Sequence, residues 1–264
     1  MDLKLKGKLA VVTGSTAGIG LAIAKALAAE NARVVVNGRT EARVARAVEE
    51  IRRHYPAALV EGFVADLSAA SAADTALTRF DVVDILINNL GSFEPKPFEK
   101  ITDADWNAII ETNFMSGVRL SRGWLPKMKA AGWGRIIFIS SESAVNIPAE
   151  MIHYGVTKTM QVALARGLAE TTAGTGVTVN SVLPGPTRSE GAEKFLSDVA
   201  RSKGVTLAEV EKDFFRTLRP SSLLQRFASV DEVAALVAFV ASPLSSATNG
   251  AALRVEGGLL RSIL

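Results

Sequence analysis

The sequence contains no cysteine. That excludes disulfides, thiolate metal sites and cysteine nucleophiles, and it fits a reducing cytosol. Long apolar runs are also missing: the longest, "VAALVAFVA" at 233–241, is about half of what a bilayer crossing needs. No basic cluster interleaved with aromatics accompanies the net charge of +3, so the charge reads as solvated surface and not as a nucleic-acid footprint. The opening stretch "MDLKLKGKLAVVTG" scatters lysines among short apolar pieces and reads as neither signal peptide nor anchor. The expectation is a soluble, cytoplasmic protein without a metal and without nucleic-acid or membrane partners. Only two tyrosines and two histidines occur, yet one of each is adjacent in "HYGVTK", residues 153–158.

What is present is the balance of an ordinary globular chain, 48% hydrophobic and 22% charged over 264 residues. This suits a single domain spanning 1–264 with a full core. Seven short runs rich in Val and Ile read as strands: 9–13, 33–37, 58–64, 82–88, 135–140, 177–182 and 251–256. They are apolar on both faces, as a parallel sheet covered by helices on both sides requires. Between them lie amphipathic segments; in the first, Ile19, Ile23 and Leu27 recur at four-residue spacing and form one stripe. Strand–helix alternation throughout indicates an α/β fold. Residues 186–226 break the alternation with a polar, charged tract too long for a plain connection, either a surface excursion or a lid over a pocket.

"TGSTAGIG", residues 13–20, follows the first strand and opens the first helix. Gly14 permits a tight turn, and the absent side chains at Gly18 and Gly20 allow close approach of a ligand and the sheet. The helix N-terminus then faces an anion, best read as the pyrophosphate of a dinucleotide. The spacing differs from the commoner Gly-x-Gly-x2-Gly, and no Walker Lys-Ser or Lys-Thr follows.

On the helical stretch 151–170, spacing of four puts Tyr154 and Lys158 on one face. A free tyrosine titrates near pH 10, and an adjacent ammonium favours the phenolate. Lowering the pKa by about three units corresponds to roughly 4 kcal/mol, within reach of a lysine plus a cationic cofactor ring. The pair makes chemical sense as a general acid/base. Ser141 lies at the carboxyl end of the strand "RIIFIS", where it can hold a substrate carbonyl against the tyrosine. A Ser–His–Asp hydrolase lacks its parts here: no Gly-x-Ser-x-Gly elbow surrounds Ser141, and His54 sits at a polar helix end.

With these residues assembled, the chain resembles the short-chain dehydrogenase/reductase family over nearly its whole length. "TGSTAGIG" matches the cofactor turn, and "NNLG" (88–91) the Asn-Asn-Ala-Gly signature with Leu90 in place of alanine. Asn113 in "ETNFMSG" matches the catalytic asparagine, Ser141 stands thirteen residues before Tyr154, "YGVTK" is the Tyr-x3-Lys, and "LPGP" (183–186) the Pro-Gly turn. The resemblance implies a doubly wound Rossmann-type parallel sheet of seven strands in order 3-2-1-4-5-6-7, a substrate lid at 186–226 and usually a homotetramer, otherwise a homodimer. It implies a hydride transfer between nicotinamide and a carbonyl or alcohol. In it Tyr154 exchanges the proton, Lys158 lowers its pKa and holds the nicotinamide ribose, Ser141 orients substrate, and Asn113 anchors a relay water.

The cofactor residues that the resemblance implies are Gly14, Ser15, Thr16, Gly18, Ile19, Gly20, Asn88, Asn89, Gly91, Tyr154, Lys158, Pro184, Gly185 and Thr187. To these it adds Asp66, with Leu67 beside it, at the adenine. NAD-preferring relatives carry a carboxylate after the second strand; here Gly38 and Arg39 stand there, and a guanidinium pairs with a 2′-phosphate, which favours NADP(H) over NAD(H). The glycine turn itself offers no added base. Glu142, Ser143 and His153, with Ser141, border the substrate side by position. Glu142 either grips a substrate group or forms an internal salt bridge, the plainer reading. His153 points at substrate or packs on the far side of its helix. The substrate stays open between a 3-oxoacyl thioester and a sugar, polyol or steroid-like alcohol. Two other functions stay open as well, a redox-silent nucleotide-binding regulator and a cofactor-assisted dehydratase or epimerase.

Overall fold

Branched side chains suit a pleated surface buried on both faces, and the Val- and Ile-rich runs are where the sheet forms. The computed structural model describes residues 1–263, with the side chain of Phe195 outside that description. The strands are β1 (Leu9–Val12), β2 (Arg33–Gly38), β3 (Val60–Val64), β4 (Ile85–Asn88), β5 (Gly134–Ile139), β6 (Val177–Pro184) and β7 (Ala252–Val255). All pair in parallel, in the spatial order β3-β2-β1-β4-β5-β6-β7, which is the order the resemblance implied.

The helices are α1 (Gly18–Ala29), α2 (Glu41–His54), α3 (Ala70–Arg79), α4 (Asp103–Ile110), α5 (Ser116–Ala130), α6 (Ile152–Glu170), α7 (Glu190–Lys203), α8 (Leu207–Thr217) and α9 (Val230–Val240). One apolar layer joins Ile23 and Leu27 of α1, Val44 and Ile51 of α2 and Val237 of α9 to the sheet. The other joins Ala76 of α3, Leu120 and Trp124 of α5 and Ala165 of α6 to Phe63 and Phe138. Each layer sits on one face, which is why the strands carry no polar face. Leu27 is fully buried, and its truncation to alanine would cost about 2–5 kcal/mol.

The largest differences from the sequence reading are at β4 and at 186–226. β4 starts at Ile85 and not at residue 82, because Val82 is exposed and the Asp84 carboxylate takes the Leu9 N–H at 2.8 Å and the Lys8 ammonium at 3.1 Å. The tract 186–226, read as a surface excursion or a lid, carries α7 and α8, packed on their own small core of Leu196, Val210, Phe215 and Phe227. Ser189 caps α7, Gly204 ends it in the left-handed region at φ +65°, and a Thr206–Glu209 capping box starts α8. A two-residue ladder between Thr187–Arg188 and Ala228–Ser229 closes its base. Among the described residues no helix is long and apolar enough to cross a membrane.

Candidate active site

All seven strands run in one direction, so their carboxyl ends share one edge, and the turns after β1, β4, β5 and β6 gather there. Ser141 follows β5 by two residues, and its hydroxyl donates to the Glu142 carboxylate at 2.5 Å. The Ser143 N–H donates to both Ser141 Oγ and the Glu142 carboxylate, and the Ser143 hydroxyl also donates to Glu142. Glu142 in turn takes the Nε–H of Arg219 at 3.2 Å, so the internal salt bridge expected as the plainer reading is formed. Ser143 therefore spends its polar groups on Glu142.

Tyr154 lies in the first turn of α6, half-buried, with Phe93 edge-on at 6.1 Å between ring centroids. Burial raises its pKa above the ordinary value. The Ser141 hydroxyl beside it acts to lower it, the Glu142 carboxylate to raise it, and the Arg219 guanidinium to lower it. Lys158 shares the face as the spacing required, its Nζ 5.6 Å from the Tyr154 ring centroid, but its ammonium donates to the Ile139 carbonyl at 2.9 Å. Burial pushes Lys158 down to about 8. The expected lowering of the phenol by Lys158 is thus absent from the balance that these protein groups set.

Asn113 is held by a single π-helical turn, Glu111–Met115, between α4 and α5. Such a turn widens the helix and displaces its carbonyls from the usual ladder. The Asn113 carbonyl accepts from Gln161 Nε2 at 2.5 Å, and the Gln161 amide oxygen accepts from Lys158 Nζ at 3.3 Å. The Asn113 side chain pins the loop after β4, accepting from Ser92 N–H and donating to Ser92 C=O, and it donates to Thr157 as well.

The glycine turn fits a dinucleotide. Gly14 and Gly18 have φ of +59° and +56°, values that favour glycine. At Gly20 a Cβ would come within 2.6 Å of the Gly14 carbonyl and 2.5 Å of Asn89 Nδ2. A cavity of about 300 Å³ opens beside the turn, lined among others by Thr16, Gly38, Arg39, Arg43, Asp66 and Leu67. Two guanidinium groups border it where one was expected. Asp66 is held low by the Ser68 hydroxyl first, with Arg39 adding to it. At Gly38 a Cβ would meet Thr16 Cγ2 at 2.4 Å, so any side chain there would have to displace Thr16.

Not every expected cofactor residue faces that cavity. Ser15 is fully buried and donates inward to the Val12 carbonyl. Asn88 turns to Ser121, while Asn89 pins the Thr13 and Gly14 carbonyls, so both brace the turn. Ile19 is partly buried in the α1 core layer. Gly91 lies beside Asn113 and Lys158, each 3.5 Å from where its Cβ would be. Pro184 ends β6, Gly185 passes against the Glu256 backbone, and Thr187 donates to the Gly185 carbonyl.

The sequence pattern of the family described as short chain dehydrogenase matches residues 8–200. The chain belongs to the short-chain dehydrogenase family. It is 46% identical over 263 residues to an uncharacterized oxidoreductase, YvaG, of Bacillus subtilis, with all of both chains covered. It is 35% identical over 258 residues to a D-beta-hydroxybutyrate dehydrogenase of Cupriavidus necator, covering 96% of this chain and 98% of that one. Among solved structures, L-sorbose reductase from Gluconobacter frateurii, complexed with NADPH and L-sorbose, superposes with a TM-score of 0.93 at 29% identity over the whole of both chains. This short-chain dehydrogenase is accordingly a nicotinamide-dependent oxidoreductase working between a carbonyl and an alcohol on a small molecule.

His153 of this short-chain dehydrogenase packs edge-on against Trp106 of α4, 6.0 Å between ring centroids, and is buried in the α4–α6 contact. Of its two possible orientations the packing one is taken. Three residues of the site went unread in the sequence. Arg43 carried a faint signal, four residues after Arg39 at a helix start. Gln161 carried only its spacing from Lys158. Arg219, 77 residues from Glu142, carried none.

Proposed function

We propose that this short-chain dehydrogenase uses Tyr154 as general acid/base and prefers NADP(H). When bound, the nicotinamide supplies or accepts the hydride at the substrate carbon. In the reducing direction Tyr154 gives its hydroxyl proton to the carbonyl oxygen as that carbon is reduced; in the oxidising direction it takes the alcohol proton back. Ser141 holds the reacting oxygen against Tyr154, and Lys158 holds the cofactor ribose and supplies positive charge beneath the phenol. Asn113 keeps Lys158 in place through Gln161. The observation that carries this reading is the meeting of Ser141, Tyr154 and Lys158 at the strand edge that also holds the glycine turn.

The cofactor preference is supported by Arg39 and Arg43 beside the adenosine-sized cavity, and by the NADPH in the L-sorbose reductase structure. The α7–α8 excursion is the proposed lid. Its start lies over the turn, with Ser189 Cβ 3.3 Å from where a Gly18 Cβ would be, and its end delivers Arg219 to Glu142. A homotetramer, otherwise a homodimer, completes the reading on family resemblance, and a cytoplasmic location on the absence of cysteine. The substrate class is a secondary alcohol or its ketone.

The test is a panel of D-β-hydroxybutyrate, L-sorbose, gluconate and a 3-oxoacyl thioester, each with both cofactors, followed by nicotinamide absorbance. Turnover of at least one compound, faster with the phosphorylated cofactor, is expected. Cofactor binding with no turnover across the panel would favour the redox-silent regulator instead.

A further inference from the structure

The excursion is anchored to the catalytic edge by one buried ion pair. The side chains of Glu142 and Arg219 are only 6% and 9% exposed, and Arg219 Nε meets Glu142 Oε1 at 3.2 Å. The other Glu142 oxygen receives the Ser141 hydroxyl, the Ser143 N–H and the Ser143 hydroxyl. Arg219 Nη1 donates to the Leu218 carbonyl at 2.9 Å and to Glu150 at 3.3 Å. A continuous line thus runs from the phenol of Tyr154 past Ser141 and Glu142 to a guanidinium just beyond α8.

A carboxylate this deep is costly unless it is neutralised and hydrogen-bonded. Its charge also decides how strongly it draws on the Ser141 hydrogen. With Arg219 in place Glu142 takes that hydrogen at 2.5 Å and so fixes where the serine hydroxyl stands. Resting on the assignment of Tyr154 and Ser141 made above, we propose that Arg219 is a positioning residue carried by the excursion: by neutralising Glu142 and fixing it in place it holds the Ser141 hydroxyl beside the phenol and sets the charge environment of Tyr154.

The inference has an electrostatic signature. The charges facing the phenol are Lys158 from α6, Glu142 from the turn after β5 and Arg219 from the excursion, with Glu150 behind Arg219. Glu142 acts to raise the Tyr154 pKa and Arg219 to lower it, so deleting one charge should move the phenol in opposite directions. Deleting both should restore the balance. A pair that only held the lid down would weaken folding in both single variants without moving the phenol.

The chain has two tyrosines, Tyr55 and Tyr154, so a Tyr55→Phe background leaves a single phenol to follow. With tyrosine isotope-labelled at Cζ, one NMR resonance reports Tyr154 titration in the full-length protein, independent of any substrate. In that background Glu142→Gln should bring the onset of titration to lower pH, and Arg219→Met should carry it to higher pH. The combined Glu142→Gln, Arg219→Met variant should return near the parent, and Arg219→Lys should stay closest to it. Turnover of the panel compound used fastest should fall about tenfold or more in Arg219→Met and recover in part in the double variant. Coincident onsets in variants that melt cooperatively would overturn the inference. That outcome is separate from failure of the Tyr154 assignment, which would appear as full turnover by Tyr154→Phe.

Discussion

Gln161 reaches from α6 to the main-chain carbonyl of Asn113 at 2.5 Å, and offers its amide oxygen to Lys158 at 3.3 Å. One side chain thus joins the π-helical turn to the ammonium beside the Tyr154 ring. Both ends are buried, so the bridge has no water to replace it cheaply.

Gln161→Leu strands the Asn113 carbonyl and frees Lys158 on one side. A loss of about 1–3 kcal/mol in stability is expected from the unsatisfied carbonyl. A larger fall in kcat than rise in KM is expected from the misplaced lysine. Thermal melts and steady-state kinetics check the two effects separately, and an unchanged kcat would mean that Gln161 does not position Lys158.

Arg39 and Arg43 border the same cavity, but Arg43 is also paired with Glu190 at the start of α7, at 2.9 Å. Arg39→Ala should weaken NADPH binding about tenfold or more while changing NADH binding far less, because only the former loses a phosphate contact. Glu190→Ala should leave NADH unaffected and tighten NADPH slightly by freeing Arg43. Fluorescence titration with both cofactors reads each effect, and equal losses for Arg39→Ala would count against the 2′-phosphate assignment.

Lys158 is pushed from 10.5 down to about 8 by burial. Between those values the unfolded chain keeps a proton that the folded one releases, so stability rises with pH across that window. Below it the buried charge costs its full amount, roughly 3 kcal/mol. Lys158→Met removes the titration, so its melting temperature relative to wild type should be most favourable near neutral pH and lose that advantage in alkali. A difference independent of pH would mean that the lysine is not desolvated.

Gly20→Ala places a Cβ within 3 Å of the Gly14 carbonyl, Ser15 Cα and the Asn89 amide that braces the turn. Backbone cannot yield there as a flexible side chain would. A loss of about 1–3 kcal/mol in stability and a marked weakening of both cofactors are expected. Calorimetric titration checks it, and wild-type affinity would show that the turn has room the structure does not have.

The parts of this protein written in local pattern were legible in the sequence. The seven strands show as branched residues apolar on both faces, and the glycine turn and the Tyr154–Lys158 pair show as fixed spacings. Ser141 was legible because a strand end in a parallel sheet has a known place. What escaped depends on long-range packing. Nothing in "ETNFM" distinguishes a π turn from an α turn, since the widening is decided by what its carbonyls meet. Arg219 reaches Glu142 only because α7 and α8 fold back, and the capping signals at Ser189, Thr206 and Gly204 that start and stop those helices lie in a tract whose polar composition hides its helical pattern. His153 looked equivocal because its neighbour Trp106 is on another helix.

The most direct measurement is Tyr154→Phe, assayed for turnover of the fastest panel compound and, in the same preparation, for NADPH affinity. Removal of the hydroxyl alone should abolish turnover, by a factor of about a thousand or more, while cofactor affinity stays within about threefold of wild type. Turnover that survives would place the proton donor elsewhere and contradict the assignment of Tyr154.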